Sequence, residues 1–284
     1  MPVDTIITNC KIARHDGILD AGLAIDNGKV VAIAKDDALP SARKAIDAKG
    51  NYIIPGVVDA HVHLEWPPGV DPESNIQRET QACAAGGCTT IIHLLAPADD
   101  ILNKAKEFVG FYEANAFVDL ALSARIYTRQ NIKQIRSLCD YGILGVKLLL
   151  PYKGSEAIWK GRVGGIDDGI IYLTFKEVGR LAKEGCKAFV RVHCENAEIF
   201  FKMKDEFLEK GIEPSSWNEV RPRVCEAEAM RKCLYLAGIT ECPIYIVHMT
   251  IKEGIDLLNK ARAEGVNVVA ETCVQYLTLN TDSV

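Results

Sequence analysis

From Pro55 onward the chain alternates short apolar runs with longer amphipathic stretches, an alternation that predicts parallel strands joined by helices. The strand candidates are VVDAHVHL, CTTIIHLL, FVDLALSAR, GVKLLL, AFVRVHCEN, IYIVHMT and NVVAETCVQYL. Between them, helical spacing of apolar positions marks Asn75 to Ala85, Asp100 to Ala114, Asn131 to Tyr141, Thr174 to Glu184, Cys225 to Ala237 and Lys252 to Glu264. Repeated strand then helix in one direction predicts a (β/α)8 barrel of the TIM type, here incomplete with about seven strands. A doubly wound open sheet is the other architecture this alternation permits, but no GxGxxG or Walker-type loop follows any strand. Before Pro55 the texture differs. Short β-like runs (TIITNCKI, LAIDNGKVVAIA, KAIDAKGNYII) are punctuated by Asn27-Gly28 and Lys49-Gly50, which predicts a small antiparallel unit forming part of a β-sandwich. The domain reading is residues 1–54 for that unit and 55–284 for the barrel.

Composition narrows the partner. The 284 residues are 48% hydrophobic and 25% charged, enough for one large core with a small appendage. A net charge of -5 gives no electrostatic footprint for nucleic acid or an anionic membrane, so the expected partner is a small molecule. No apolar run approaches the roughly 20 residues that span a bilayer, and MPVDTIITNC lacks a basic region followed by an apolar one, so the expected location is the cytoplasm. The ten cysteines are scattered without a CxxC pair and read as reduced, mostly buried thiols.

The chemistry gathers at the strand ends. In IIPGVVDAHVHL, Asp59, His61 and His63 follow period two and therefore share a face of the strand. Two imidazoles there are able to bind one divalent ion, although a pair satisfied by core hydrogen bonds has the same spacing. His193 ends FVRVH and His248 ends IYIVH, so four of the six histidines fall at the ends of three strands. Lys147 stands inside the apolar run Ile143 to Leu150, where burial disfavours its charge; it either becomes a neutral amine able to react with carbon dioxide or snorkels out of the barrel. A carbamate formed there is an anionic ligand able to bridge two ions. Glu195 shares the face of His193 and either orients a ligand or caps the next helix. His15 and His93 have no matching partners and are read as ordinary structural residues.

These residues resemble the dihydropyrimidinase and hydantoinase group of the amidohydrolase superfamily, the cyclic-amide hydrolases. The likeness runs through PGVVDAHVHLEWP, GGCTTII, GVKLLLPYKG, VHCEN, RPRVCEAEAMRKCLYLA, YIVHMT and AETCVQYLTL. It implies two divalent ions, zinc by preference: His61 and His63 bind one, His193 and His248 the other, and N6-carboxylated Lys147 bridges them. It implies that Tyr152, five residues after the lysine, is the catalytic tyrosine and also contacts substrate. The implied activity is opening of a dihydropyrimidine, hydantoin or cyclic imide ring to an N-carbamoyl amino acid or analogue, and the implied assembly is a homotetramer. Asp59 is expected to brace the strand or a ligand. The loops Glu65 to Val70 and Lys153 to Gly169, the latter with five glycines, are expected to place Trp66 and Trp159 against the substrate's ring substituent.

One feature departs from the family, whose last metal ligand and proton shuttle is an aspartate at the end of an eighth strand. No residue before Val284 takes that place; Asp282 lies in the segment directly after the seventh strand. The expectation is therefore a portion of a longer enzyme, or one completed by another chain, and a stretch of 284 residues that is inactive and aggregation-prone by itself. Two other readings stay open: a catalytically inactive scaffold on the same fold, and an allantoinase or dihydroorotase. A dihydroorotase would carry arginine where this chain has Glu65.

Overall fold

The computed structural model describes residues 1–64, 71–153, 165–211 and 217–280. Contacts divide the chain into two compact units, Met1–Val57 and Val58–Val284.

The first unit holds β1 (Val3–Thr8), β2 (Lys11–Arg14), β3 (Gly17–Asp20), β4 (Gly22–Asp26), β5 (Lys29–Ala34), β6 (Ala42–Asp47) and β7 (Tyr52–Ile53). They form a four-stranded sheet in the order β5-β4-β1-β6 and a three-stranded sheet in the order β3-β2-β7. Asn27 and Gly28 both take positive φ, 49° and 72°, the turn that joins β4 to β5 as an antiparallel hairpin. The expectation of a purely antiparallel unit is corrected, because β1 pairs β6 and β2 pairs β7 in parallel. Turn residues mark where the chain reverses, and they do not show on which side of a sheet it returns. Both sheets supply the core, with Ile12 of β2 and Leu23 of β4 buried together and Ile7, Leu19 and Ile53 packed against them.

In the second unit β8 (Val57–Val62), β9 (Cys88–Leu94), β10 (Asp119–Arg125), β11 (Gly145–Leu149), β12 (Phe189–His193), β13 (Ile244–Ile246) and β14 (Val268–Ala270) coincide with the seven strand candidates. They form a curled parallel half-barrel in strict sequence order from β14 to β8. A doubly wound sheet reverses its order part-way, so this order rules it out. Between the strands run α1 (Pro72–Ala85), α2 (Ile101–Asn115), α3 (Arg129–Asp140), α4 (Asp168–Lys183), α5 (Ala197–Glu209), α6 (Trp217–Val220), α7 (Arg223–Thr240) and α8 (Lys252–Ala263). The first five begin on side-chain caps: Asp71, Asp100, Thr128, Asp167 and Asn196 each accept from a backbone N–H of the first turn. Each such cap contributes about 1 kcal/mol and fixes where the loop after a strand ends. Among the described residues no helix is long and apolar enough to cross a membrane.

The core lies between sheet and helices, with Val146, Leu148, Val190, Val192, Phe175, Val178 and Leu181 fully enclosed. Helices α4 and α7 approach closely because Gly179 has no side chain: a Cβ there would collide with the Thr240 carbonyl oxygen. We expect Gly179→Ala to destabilise the protein by about 1 to 3 kcal/mol through overpacking. Gly110→Ala, in a helix position open to solvent, should instead stabilise it by about 0.5 to 1 kcal/mol. Thermal unfolding of the pair checks the contrast, and equal shifts would refute it.

Candidate active site

The parallel arrangement brings side chains from β8, β11, β12 and the β13 end to one rim. His61 lies in β8 and His63 one residue beyond it, with ring centroids 5.4 Å apart. His193 closes β12, and His248, two residues past β13, meets it edge-on at 4.4 Å. The φ of His248 is +38°, a left-handed backbone that turns its ring back over the site, stacked at 5.4 Å on His61. Tyr152, three residues past β11, stands edge-on to His193 at 6.0 Å. Lys147 is 1% exposed and does not snorkel; its Nζ lies 3.4 Å from His61 Nε2. The structure thus brings together His61, His63, Lys147, Tyr152, His193 and His248.

Other sequence expectations resolve more quietly. The Asp59 carboxylate accepts the His61 backbone N–H at 3.1 Å, bracing the strand. Glu195 stands 3.4 Å from His193 Nε2 and is ion-paired with Arg221 at 2.6 Å, while the helix that follows is capped by Asn196 instead. His93 is fully buried, stacked on Phe108 at 4.5 Å, and its Nδ1 accepts the Leu64 N–H. Glu65, Trp66 and Trp159 lie outside the described residues. All ten cysteines are free thiols.

Below the rim the strands carry charge that the sequence reading passed over. Register aligns Arg125 with Lys147, Lys147 with Arg191, and Arg191 with Tyr245 on consecutive strands. Two guanidinium groups therefore flank Lys147 across β10, β11 and β12, an arrangement that disfavours a charge on the lysine. Arg191 is 1% exposed and donates to Ser123 Oγ at 3.2 Å and to the Ala60 carbonyl at 2.5 Å. Gly145 gives it room, since a Cβ there would lie 3.3 Å from Arg191 Cδ and collide with Ser123 Oγ. Arg125 Nη2 reaches His63 Nδ1 and the Leu94 carbonyl, both at 3.0 Å. Glu271, immediately after β14, lies 2.6 Å from His61 Nδ1, accepts from the Tyr245 hydroxyl at 2.7 Å and stands 3.9 Å from Arg191.

Electrostatics follow from this layout. Burial, then the Arg191 charge, holds the Lys147 amine well below the ordinary lysine range. Burial likewise lowers His61 and His193, and with His193 alongside it brings His248 down to about 2, so these rings are neutral near pH 7. Burial alone would raise Glu271, but its hydrogen bonds with His61 and Tyr245 outweigh that and bring it to about 2.

Neutral imidazoles are the form that binds divalent metal, and four of them converge here with an amine and a carboxylate behind them. No trio of His, Cys, Asp or Glu among the described residues already forms a coordination cage. The donor chemistry nevertheless fits such ions, because four imidazoles and an amine gather nitrogen donors on one rim.

No family model matches the chain. It is 33% identical to the D-hydantoinase of Rhizobium radiobacter over 99% of its own length and 59% of that protein. It is 32% identical to the allantoinase of Bacillus licheniformis over 98% of its length and 61% of that protein. The L-hydantoinase (dihydropyrimidinase) structure from Arthrobacter aurescens superposes with a TM-score of 0.87 at 28% identity, over 99% of this chain and 60% of that one. The chain spans about three fifths of the length of the curated relatives it matches. Its sequence, the order of its strands and the side chains those strands gather support the amidohydrolase group, with the hydantoinases and allantoinases as its relatives.

Proposed function

We propose that this chain carries the reaction centre of a metal-dependent hydrolase that opens a cyclic amide ring, of the dihydropyrimidine, hydantoin or cyclic imide class. The observation that supports it most is the convergence of His61, His63, Lys147, His193 and His248 beside Tyr152, drawn from four strands onto one rim. A scaffold that had lost its chemistry would have no reason to keep a buried lysine among neutral imidazoles. In this reading His61 and His63 hold one divalent ion, His193 and His248 a second, and Lys147 lies between them. Such ions would lower the pKa of water toward 7 and polarise the ring carbonyl.

The chain's own residues do the rest. The neutral Lys147 amine attacks the carbon of carbon dioxide, one N–C bond forms, and an ammonium proton leaves to solvent, giving a carbamate. That change turns the middle member of the Arg125, Lys147, Arg191 row from a neutral amine to an anion, so each flanking guanidinium gains an attraction. Tyr152 donates its hydroxyl proton to the oxyanion that develops on the ring carbonyl, a contact typically worth about 3 to 4 kcal/mol. Ring opening gives an N-carbamoyl amino acid or its analogue.

Relatives of both names favour testing allantoin beside the hydantoins. The experiment is a hydrolysis screen of hydantoins, dihydropyrimidines, allantoin and cyclic imides, with metal analysis, on the protein as the cell makes it. Turnover of at least one class is expected, and Tyr152→Phe should lower its kcat by about 100- to 1,000-fold with metal content unchanged. A protein that holds two ions and turns over none of these would overturn the reading.

A further inference from the structure

The carboxylate of Glu271 is reached from three strands. Its Oε2 accepts the Tyr245 hydroxyl at 2.7 Å, and Arg191 lies 3.9 Å away, locked by Ser123 and the Ala60 carbonyl. Its Oε1 lies 2.6 Å from His61 Nδ1, and the two side chains are only 15% and 16% exposed. A carboxylate at that distance accepts, so His61 Nδ1 must carry the proton. In a neutral imidazole the other nitrogen then has the lone pair, and Nε2 is the atom that faces Lys147 at 3.4 Å. We infer that Glu271 is a positioning residue, which fixes the tautomer and angle of His61 so that Nε2 presents its lone pair to the centre of the cluster. Tyr245 and Arg191 in turn hold Glu271 in place.

His63 supplies an internal contrast. Its Nδ1 faces the Arg125 guanidinium, a donor with no acceptor capacity, so the two histidines of one strand are governed by opposite partners. A generic structural role for Glu271 would need only one charge opposite Arg191. The shorter contact, however, goes to the imidazole, and the second oxygen goes to a tyrosine.

This inference rests on the hydrolase reading for the ions, and its test separates the two. The probe is zinc alone, with ring 15N chemical shifts of His61 measured in the metal-free protein and assigned by difference with His61→Asn. In the unaltered protein Nδ1 should be protonated and Nε2 should not. Glu271→Gln keeps the shape but offers Nδ1 either an oxygen or an NH2 group. The tautomers should therefore mix, and zinc affinity should fall about 10- to 100-fold, the span typical of losing a residue behind a metal ligand. Tyr245→Phe leaves every proposed ligand intact and should lower zinc affinity in the same direction by a smaller factor. A Glu271→Gln protein with unchanged His61 shifts or zinc affinity within twofold of the original overturns the positioning role, whatever the hydrolysis screen shows. A fall in thermal stability with the tautomer unmoved would likewise assign Glu271 to structure alone.

Discussion

Replacing Lys147 with alanine should empty the site of metal and lower turnover by more than about 100-fold, beyond the 10- to 100-fold typical of losing a supporting residue. The amine is the group in the cluster able to become a bridging anion, while the nearby carboxylate of Glu271 is already engaged by His61 and Tyr245. Adding a short carboxylic acid should restore part of the metal content and activity. Full metal occupancy in the alanine variant would end the argument. The same residue governs stability in the metal-free protein. Its folded pKa is depressed, whereas the unfolded chain regains the ordinary value of 10.5, so between the two the unfolded state holds more protons. Stability should therefore rise with pH across that window, by about 1.4 kcal/mol per unit, and fall as pH drops toward the depressed value. Lys147→Met should flatten that slope, as urea titrations between pH 7 and 10 would show.

Arg191→Met is the change with the largest expected cost to folding. It removes the donor to the Ala60 carbonyl and to Ser123 Oγ from a place that is 1% exposed. Breaking one side of a buried charged network typically costs about 3 to 5 kcal/mol. We place Arg191→Met at about 3 kcal/mol, because Glu271 keeps its bonds to His61 and Tyr245 and Lys147 loses a repulsive neighbour. For a chain this long that is a fall in Tm of about 6 to 12 °C. Combined with Lys147→Met, the arginine change should cost more than it does alone, since the relief it gives Lys147 is then absent. Strict additivity of the two would show that the aligned side chains do not interact.

Much of the architecture was legible because each strand candidate was an apolar run flanked by turn signals, and all seven were found in place. Helix α5 was not predicted, although Asn196 caps it and Phe200 anchors it. The histidines and Lys147 were readable because an imidazole or amine at the end of an apolar strand stands out. Arg191 carried the same signal, a charge between Val190 and Val192, and was overlooked because the histidine beside it supplied a sufficient story. Glu271 was not legible at all. Its partner is 210 residues away, and local pattern contains no information about which side chains a curled sheet will bring face to face.

That separation bears on how the protein is made. At a synthesis rate of about 5 to 20 residues per second, roughly 10 to 40 s pass between the emergence of His61 and that of Glu271. Throughout that interval the nascent chain displays His61 without the carboxylate that would select its protonation. Local βα units have time to condense, while the contact joining the ends of the sheet must wait. The donor cluster therefore matures late in biogenesis, after the helices that surround it.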